Sequence, residues 1–219
     1  LTELYRKKVA SAQLVANPGC YPTGAILALA PAVKEGLIAS DIVIDSKSGV
    51  SGAGRSLSLT THFSEVNEDV SAYALEGHRH LPEITQELKK LGVKEPSVTF
   101  IPHLIPITRG ILTTTYASLV PGKLAAGKKG IEELRQLYLD FYKSEPFVRV
   151  SATPPHTKHT WGNNFCFVYP TVDLRTNRLI AISAIDNLVK GAAGQAIQNM
   201  NLMLGLPETT GLEALPVYP

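Results

Sequence analysis

Long β-rich segments constrain the fold of this chain more than any other feature of its sequence. Residues 97–107 (SVTFIPHLIPI) and 109–120 (RGILTTTYASLV) are rich in β-branched residues, and we expect them to be neighbouring strands of one sheet. Residues 165–174 and 178–186 flank a turn at Arg175–Asn177, which predicts a hairpin. The fold must therefore contain a sheet in which some neighbouring strands run antiparallel.

Segments with helical periodicity lie between these strands. The predicted fold class is α+β, with a mixed, largely antiparallel sheet and helices on one face. Residues 56–77 are polar and rich in Ser and Thr, and few clear elements are expected there. The remaining predictions are shorter strands at 13–16 and 41–49, and helices from the Cys20 turn to about Lys34, over 80–92, over 131–145 and over 187–206.

The composition argues against several classes of function. The 219 residues are 44% hydrophobic and 18% charged, with a formal net charge of +2 and no dense run of Lys or Arg. This balance argues against binding to nucleic acid or to a membrane surface. No apolar stretch approaches the ~20 residues of a membrane span. The two cysteines form neither a disulfide framework nor a CxxC metal motif, so we expect a protein of the reducing cytoplasm.

Cys20 lies in the stretch NPGCYPTGAILALA, directly before a run of good helix formers. Pro22 is favourable in the first turn of a helix, so Cys20 is expected at or just before a helix N-terminus. The unpaired N–H groups and the helix dipole would favour a thiolate there. The alternative is a small buried residue in a tight turn, because free cysteine also packs as a small apolar side chain.

Two histidines are candidate partners for Cys20. His78 and His80 lie in EGHRHLPEI, directly before a predicted helix. They are either acid–base groups or polar residues of an exposed loop that caps the helix. An H-x-H pair could also bind a metal with His62 or His103, but no ligand spacing supports this, and no metal is predicted.

Two further features suggest ligand binding. The loop SGVSGAGR (48–55) offers backbone N–H groups to a phosphate or a flat ring, although a flexible turn would have the same composition. Arg109 is either paired internally or directed at an anionic ligand. The chain has no GxGxxG after a first strand, and it opens without Met. We therefore expect a fragment without a complete dinucleotide-binding unit.

Five separated motifs give the chain a specific resemblance. NPGCYPT, SGVSGAGR, EGHRHLPEI, HLIPITRGI and AIDNLVKGAAGQAIQNMN follow one another as in the N-acetyl-gamma-glutamyl-phosphate reductases of arginine biosynthesis. The resemblance runs from Leu1 to about Leu212 and implies a fold like the C-terminal catalytic domain of glyceraldehyde-3-phosphate dehydrogenase and aspartate-semialdehyde dehydrogenase. It also implies that residues 1–186 form a catalytic and dimerisation domain. Residues 187–219 would pack on an N-terminal NADP-binding domain that is missing here.

The resemblance further implies a reaction and its residues. An acyl phosphate, N-acetyl-glutamyl 5-phosphate, would be reduced by NADPH to the semialdehyde through a thioester on Cys20. His78 would be the acid–base residue, with His80 as its support or substitute. The protein would be a homo-oligomer, dimer or tetramer, assembled through the sheet. The other implied contacts are Asn17 and Arg109 to the substrate, and Ser51, Gly52 and Asn187 to NADP(H).

Three alternatives to this function stay open. The homologous lysine-pathway reductase acts on a one-carbon-longer aminoadipyl phosphate, and the motifs barely separate the two enzymes. A Cys–His acyltransferase or hydrolase would use Cys20 and His78, but it has no need of the glycine-rich loop or of Asn187. In the third alternative the chain by itself is an assembly domain without activity.

Overall fold

A computed structural model describes residues 1–218, and Pro219 at the end of the predicted tail lies outside it. The described residues form one mixed sheet with helices packed on it. The strands are β1 (Ile38–Gly49), β2 (Ser71–Ala72), β3 (Ser97–Ile105), β4 (Ile111–Leu119), β5 (Val148–Val150), β6 (Cys166–Asp173) and β7 (Arg178–Ile185). The α-helices are α1 (Thr2–Ala10), α2 (Cys20–Lys34), α3 (Phe63–Val66), α4 (Leu81–Leu91), α5 (Lys128–Tyr142) and α6 (Gly194–Met203).

The strand order across the sheet is β2–β3–β1–β4–β7–β6–β5. β1 and β3 pair in parallel, as do β5 and β6, and the other neighbouring strands are antiparallel. α2 contacts the central strands as well as α4 and α5, so these three helices cover the same face. The predicted mixed, largely antiparallel sheet with helices on one face is therefore confirmed, as is the β6–β7 hairpin.

The expectation that β3 and β4 are neighbours is wrong, because β1 lies between them. Their short connection, residues 106–110, crosses the end of β1 and bonds to it: Gly49 N–H donates to the Gly110 carbonyl and Val50 N–H to the Ile107 carbonyl, both at 2.9 Å. Gly49 makes this crossing possible, since a Cβ there would lie 2.8 Å from the Arg109 nitrogen. The residues between β3 and β4 could not indicate that β1, about 50 residues earlier in the chain, lies between these two strands.

α2 is the central helix of the fold, and residues 21–33 are all buried. Its small residues allow close packing on the sheet: the Ser183 hydroxyl of β7 donates to the Gly24 carbonyl at 2.9 Å. On its other side, the Tyr138 hydroxyl of α5 donates to the Ala28 carbonyl at 2.7 Å. This packing fixes the N-terminus of α2, with Cys20, near the end of the sheet where β1, β3 and β7 finish.

The two ends of the chain differ from their sequence predictions. The predicted strand at 13–16 is wrong: Gln13 lies in a bend, residues 14–16 belong to no helix or strand, and Leu14 is 90% exposed. α1 was not predicted. The predicted helix over 187–206 consists of a π-helical turn, Val189–Ala193, followed by α6. Within residues 1–218, no helix combines the length and apolar character needed to cross a membrane.

Candidate active site

Cys20 is the first residue of α2, and Gly19 is its extended N-cap residue. This confirms the predicted position at a helix N-terminus. Gly19 offers no side-chain cap, so the first N–H groups of the helix are free to act on the sulfur. Burial raises the pKa of Cys20 above its usual value, while the backbone N–H groups of Tyr21 and Cys20 and the charge of Arg79 lower it. The predicted effect of the helix N-terminus is therefore present, but burial, which was the alternative for Cys20, outweighs it.

His80 lies directly against the turn that carries Cys20. A Cβ at Gly19 would lie 2.8 Å from both the Cδ2 and Cε1 atoms of the His80 ring, so any larger residue there would have to displace this ring. The His78 ring packs edge-on to His80, with ring centroids 4.8 Å apart, and the Tyr21 ring is 5.5 Å from His78. The structure thus brings both predicted histidines to the Cys20 turn.

The surroundings of the two histidines keep both rings neutral. The backbone N–H of His80 donates to Nδ1 of His78 at 3.1 Å. Burial lowers the pKa of His78, and burial together with repulsion from a protonated His78 and from Arg79 lowers the pKa of His80 to about 4. Both imidazoles are therefore neutral at neutral pH, and because Nδ1 of His78 accepts the His80 N–H, the hydrogen of His78 lies on Nε2.

Two residues near the histidines were missed by the sequence analysis. The Tyr73 ring packs edge-on to His78 at 5.7 Å, and the Tyr73 and Tyr21 hydroxyls are 2.9 Å apart. The Glu83 carboxylate accepts a hydrogen bond from Gly19 N–H at 3.2 Å, and burial raises the pKa of Glu83. In the sequence, Glu83 resembles an ordinary acidic residue in the first turn of a helix, so only its partner reveals its position in the site.

Asn17 binds the end of the chain's long C-terminal motif. Its Nδ2 donates to the Ala192 carbonyl at 3.1 Å, and its Oδ1 accepts from Asn199 Nδ2 at 3.0 Å. The side chain therefore joins the NPGC turn to the π-helical turn and α6. Its predicted contact with a substrate stays a prediction.

Arg109 forms an internal ion pair, which was one of its two predicted roles. Its Nη2 lies 3.0 Å from Oδ2 of Asp186, whose side chain is fully buried. Asp186 also accepts hydrogen bonds from the N–H groups of Gly162, at 2.7 Å, and Leu188, at 2.8 Å. No local sequence signal pairs Asp186 with Arg109, because the two residues lie 77 positions apart. The substrate contact of Arg109 stays a prediction.

Ser51, Gly52 and Asn187 lie together, although Asn187 is far from the other two in sequence. Asn187 Nδ2 donates to the Ser51 hydroxyl at 2.9 Å, and its Oδ1 accepts from Gly110 N–H at 2.6 Å. A Cβ at Gly52 would lie 3.5 Å from Asn187 Nδ2. The same Cβ would lie 3.1 Å from Ser48 Oγ, so the Gly52 backbone packs closely on both side chains. The Asn187 amide keeps one N–H without a partner among residues 1–218.

The alternative metal ligands lie apart from this cluster. His62 is exposed and bonds to Ser64, and His103 pairs with Asp45 at 3.1 Å on the opposite face of the sheet from Phe100. Among residues 1–218, no group of three or more His, Cys, Asp or Glu side chains is arranged to hold a metal ion.

Comparison with known proteins identifies the family. A family model described as the semialdehyde dehydrogenase dimerisation domain matches residues 20–187. The chain belongs to this family. The matched segment begins at Cys20 and ends at Asn187, so it spans the cysteine turn, both histidines and the residues beside the glycine-rich loop.

Curated relatives match the whole chain and carry one name, N-acetyl-gamma-glutamyl-phosphate reductase. Those of Dehalococcoides mccartyi (strain BAV1) and Pelotomaculum thermopropionicum are each 57% identical over 100% of this chain. The relative from Symbiobacterium thermophilum is 54% identical. The resemblance inferred from the five motifs is confirmed. The chain spans 63% of the length of the first of these relatives.

Solved structures support the fold. Aspartate semialdehyde dehydrogenase II from Vibrio cholerae matches 93% of this chain and 67% of its own, with a TM-score of 0.69 and 16% identity. The aspartate semialdehyde dehydrogenase from Francisella tularensis matches 93% of this chain and 70% of its own, with the same TM-score and identity. At this identity the likeness concerns the fold alone.

Proposed function

We propose that the complete protein is an NADPH-dependent N-acetyl-gamma-glutamyl-phosphate reductase of arginine biosynthesis, in which Cys20 carries the acyl group. The observation behind this proposal is the position of Cys20 at the N-terminus of α2, with two neutral histidines packed against the same turn. The names of the curated relatives support the substrate. The free cysteines are consistent with a cytoplasmic enzyme.

The first chemical step is attack by the Cys20 sulfur on the acyl phosphate. Because burial raises the pKa of Cys20, the thiol must give its proton to a nearby base as it attacks. His78 accepts that proton at Nδ1 once its hydrogen bond from the His80 N–H opens, with His80 as its support or substitute. Phosphate leaves, and a thioester bond joins the acyl carbon to Cys20 Sγ.

The tetrahedral oxygen that forms during this step needs hydrogen-bond donors. The backbone N–H groups of Cys20 and Tyr21 are available at the helix N-terminus, whereas Pro22 has none. Two aligned N–H groups are the usual composition of such a site. Since both belong to rigid helical backbone, they need no rearrangement when the charge develops.

The chain also provides contacts for a nicotinamide cofactor and the remaining substrate groups. NADPH, when bound, supplies the hydride that reduces the thioester. Ser51, Gly52 and Asn187 contact its nicotinamide end, and Asn187 uses the free N–H of its amide. His78 then handles the proton of the thiohemiacetal oxygen as the product aldehyde leaves Cys20. Asn17 and Arg109 bind the substrate.

Assembly uses the face of the sheet that carries no helix. Half-buried apolar side chains from neighbouring strands lie side by side there, including the cross-strand pairs Tyr116–Ile180 and Ile182–Tyr169. Such a surface tends to be covered by another chain. We propose a homo-oligomer formed through this face by residues 1–186, with residues 187–219 contacting the nucleotide-binding part of the complete protein.

Turnover of two acyl phosphates tests the function. The complete protein should oxidise NADPH with N-acetyl-glutamyl 5-phosphate at least 10-fold more efficiently than with the aminoadipyl homologue, since a methylene is worth about 10- to 200-fold in a fitted pocket. A preference for the longer substrate would assign the lysine pathway. Phosphate release without NADPH oxidation would instead indicate an acyltransferase or hydrolase.

A further inference from the structure

The motif KGAAGQAIQNMN contains four buried amides, and two of them reach the segment around Cys20. Gln195 and Asn199 lie one helical turn apart on α6 and are 0% and 3% exposed. Both side chains reach the segment around Cys20, because Asn199 binds Asn17 and Gln195 binds Thr23. The second contact leads directly to the peptide bond that precedes the cysteine.

Gln195 starts a chain of hydrogen bonds. Its Nε2 donates to the Thr23 hydroxyl at 2.9 Å and to the Lys190 carbonyl at 3.1 Å, which uses both of its hydrogens. Since the Thr23 oxygen accepts from Gln195, its own hydrogen is directed to the Gly19 carbonyl, at 2.9 Å. Thr23 N–H donates to the same carbonyl at 3.0 Å.

The Gly19–Cys20 peptide is therefore polarised by two donors on its carbonyl. Withdrawal of charge toward a carbonyl oxygen makes the N–H of the same peptide a stronger donor, because chained hydrogen bonds reinforce one another. The N–H concerned belongs to Cys20, and it is one of the groups that lower the pKa of the Cys20 thiol. Glu83 holds the other side of the turn through Gly19 N–H.

We propose that Gln195 is a positioning residue for Cys20, acting through the Thr23 hydroxyl and the Gly19–Cys20 peptide. The inference rests on the proposed function only in that Cys20 is the nucleophile. Gln195 touches neither the sulfur nor the acyl group, and its effect is to orient and polarise the N–H that faces them.

Gln198 provides a matched control on the same helix. It is also fully buried, and it bonds to Lys190 Nζ at 2.8 Å, to Asn164 at 3.1 Å, to Glu3 at 3.2 Å and to Glu208 at 2.7 Å, but to no residue of α2. Replacing either glutamine by Met removes a buried amide of similar size. A role limited to packing would make the two variants alike.

The experiment measures alkylation of Cys20 by iodoacetamide in the complete protein over a range of pH, together with kcat and KM. Gln195→Met and Thr23→Val should each slow alkylation and lower kcat by about 3- to 10-fold, the worth of one hydrogen bond, with KM changed less. The double variant should be no slower than the worse single variant, because both act in one chain. Thr23→Ser should recover the rate lost in Thr23→Val, and Gln198→Met should alkylate at the parent rate.

Two results would overturn the proposal: equal alkylation rates in Gln195→Met and Gln198→Met, or effects of Gln195→Met and Thr23→Val that multiply in the double variant. If Gln195→Met does not fold, the alkylation rates of Thr23→Val and Thr23→Ser test the proposal instead. Equal rates in those two variants would contradict the chain of hydrogen bonds from Gln195 through Thr23 to the Gly19 carbonyl. The alkylation rates do not depend on the substrate, so failure of the relay is distinguishable from an incorrect reductase assignment.

Discussion

The two cysteines of this chain have the same side chain in two different electrostatic settings. Cys20 is partly buried at the N-terminus of α2, beside free backbone N–H groups and two neutral histidines. Cys166 is fully buried at the start of β6, where burial raises its pKa to about 12. Burial also raises the pKa of Cys20, but there the backbone N–H groups and Arg79 oppose the increase.

The comparison shows that a helix N-terminus does not by itself create a thiolate. Its N–H groups only offset part of the free-energy cost of burying the charge at Cys20. A base near the sulfur must therefore accept the thiol proton when Cys20 attacks. Candidate bases at the Cys20 turn are His80, whose ring lies against Gly19, and His78, which packs on His80.

The largest expected effect separates the two cysteines by substitution. Cys20→Ser should lower kcat of the complete protein on the order of 10³-fold or more, because a hydroxyl is a much weaker nucleophile. Cys166→Ser should retain kcat within a few-fold but lower the free energy of unfolding by about 1–3 kcal/mol, the cost of burying an unpaired hydroxyl. Steady-state kinetics and urea unfolding measure both. Equal loss of kcat in the two variants would remove Cys20 from the chemistry.

The second expected effect concerns the histidine pair. His78→Asn should reduce turnover roughly 10²–10⁴-fold, since it removes an acid–base group, while acyl transfer to Cys20 survives in part. Burst kinetics of phosphate release follow the acyl transfer separately. His80→Asn is the matched comparison: a larger loss of acyl transfer in His80→Asn than in His78→Asn would exchange the roles proposed for the two residues.

Sequence patterns predicted those parts of the site that depend on local rules. Pro22 and the apolar run after it were sufficient to locate Cys20 at a helix N-terminus, because helix starts depend on neighbouring residues. The hairpin of β6 and β7 also has a local signal in its turn. The position of Cys20 and the hairpin were both predicted correctly because each depends on residues that are adjacent in sequence.

Other features of the fold and the site could not be predicted from the sequence, because they depend on residues distant along the chain. Nothing near Arg109 indicates that Asp186 neutralises it, and nothing near 106–110 indicates that β1 passes between β3 and β4. Burial of Cys20 is equally non-local, so the sequence left open whether burial or the helix N-terminus has the larger effect on the thiol pKa. The segment at 13–16 has strand-like residues, but a strand also needs a neighbour with free backbone groups.

The third expected effect is a difference in reactivity at neutral pH. Iodoacetamide should label Cys20 on the order of 10²-fold or more faster than Cys166, because the buried thiol reacts only when the core opens. Labelling of Cys20 should accelerate as pH rises, since a raised thiol pKa leaves little thiolate near pH 7. Peptide mass spectrometry over time measures both rates. Equal labelling of the two thiols would contradict the distinction drawn between them.

The smallest expected effect tests how tightly the Cys20 site is built. A Cβ at Gly191, in the π-helical turn, would lie 2.8 Å from Cys20 Cβ, closer than side chains pack. Gly191→Ala should therefore displace the cysteine or the turn and slow both alkylation and turnover roughly 10-fold, because small misplacements weaken catalysis. Ala193→Ser changes an exposed residue of the same turn and serves as the control. For none of the glycines in residues 1–218 is Cys166 among the atoms nearest to an added Cβ. Labelling of Cys166 should therefore not change in Gly191→Ala. Unchanged alkylation of Cys20 in that variant would show that the turn does not fix the position of the nucleophile.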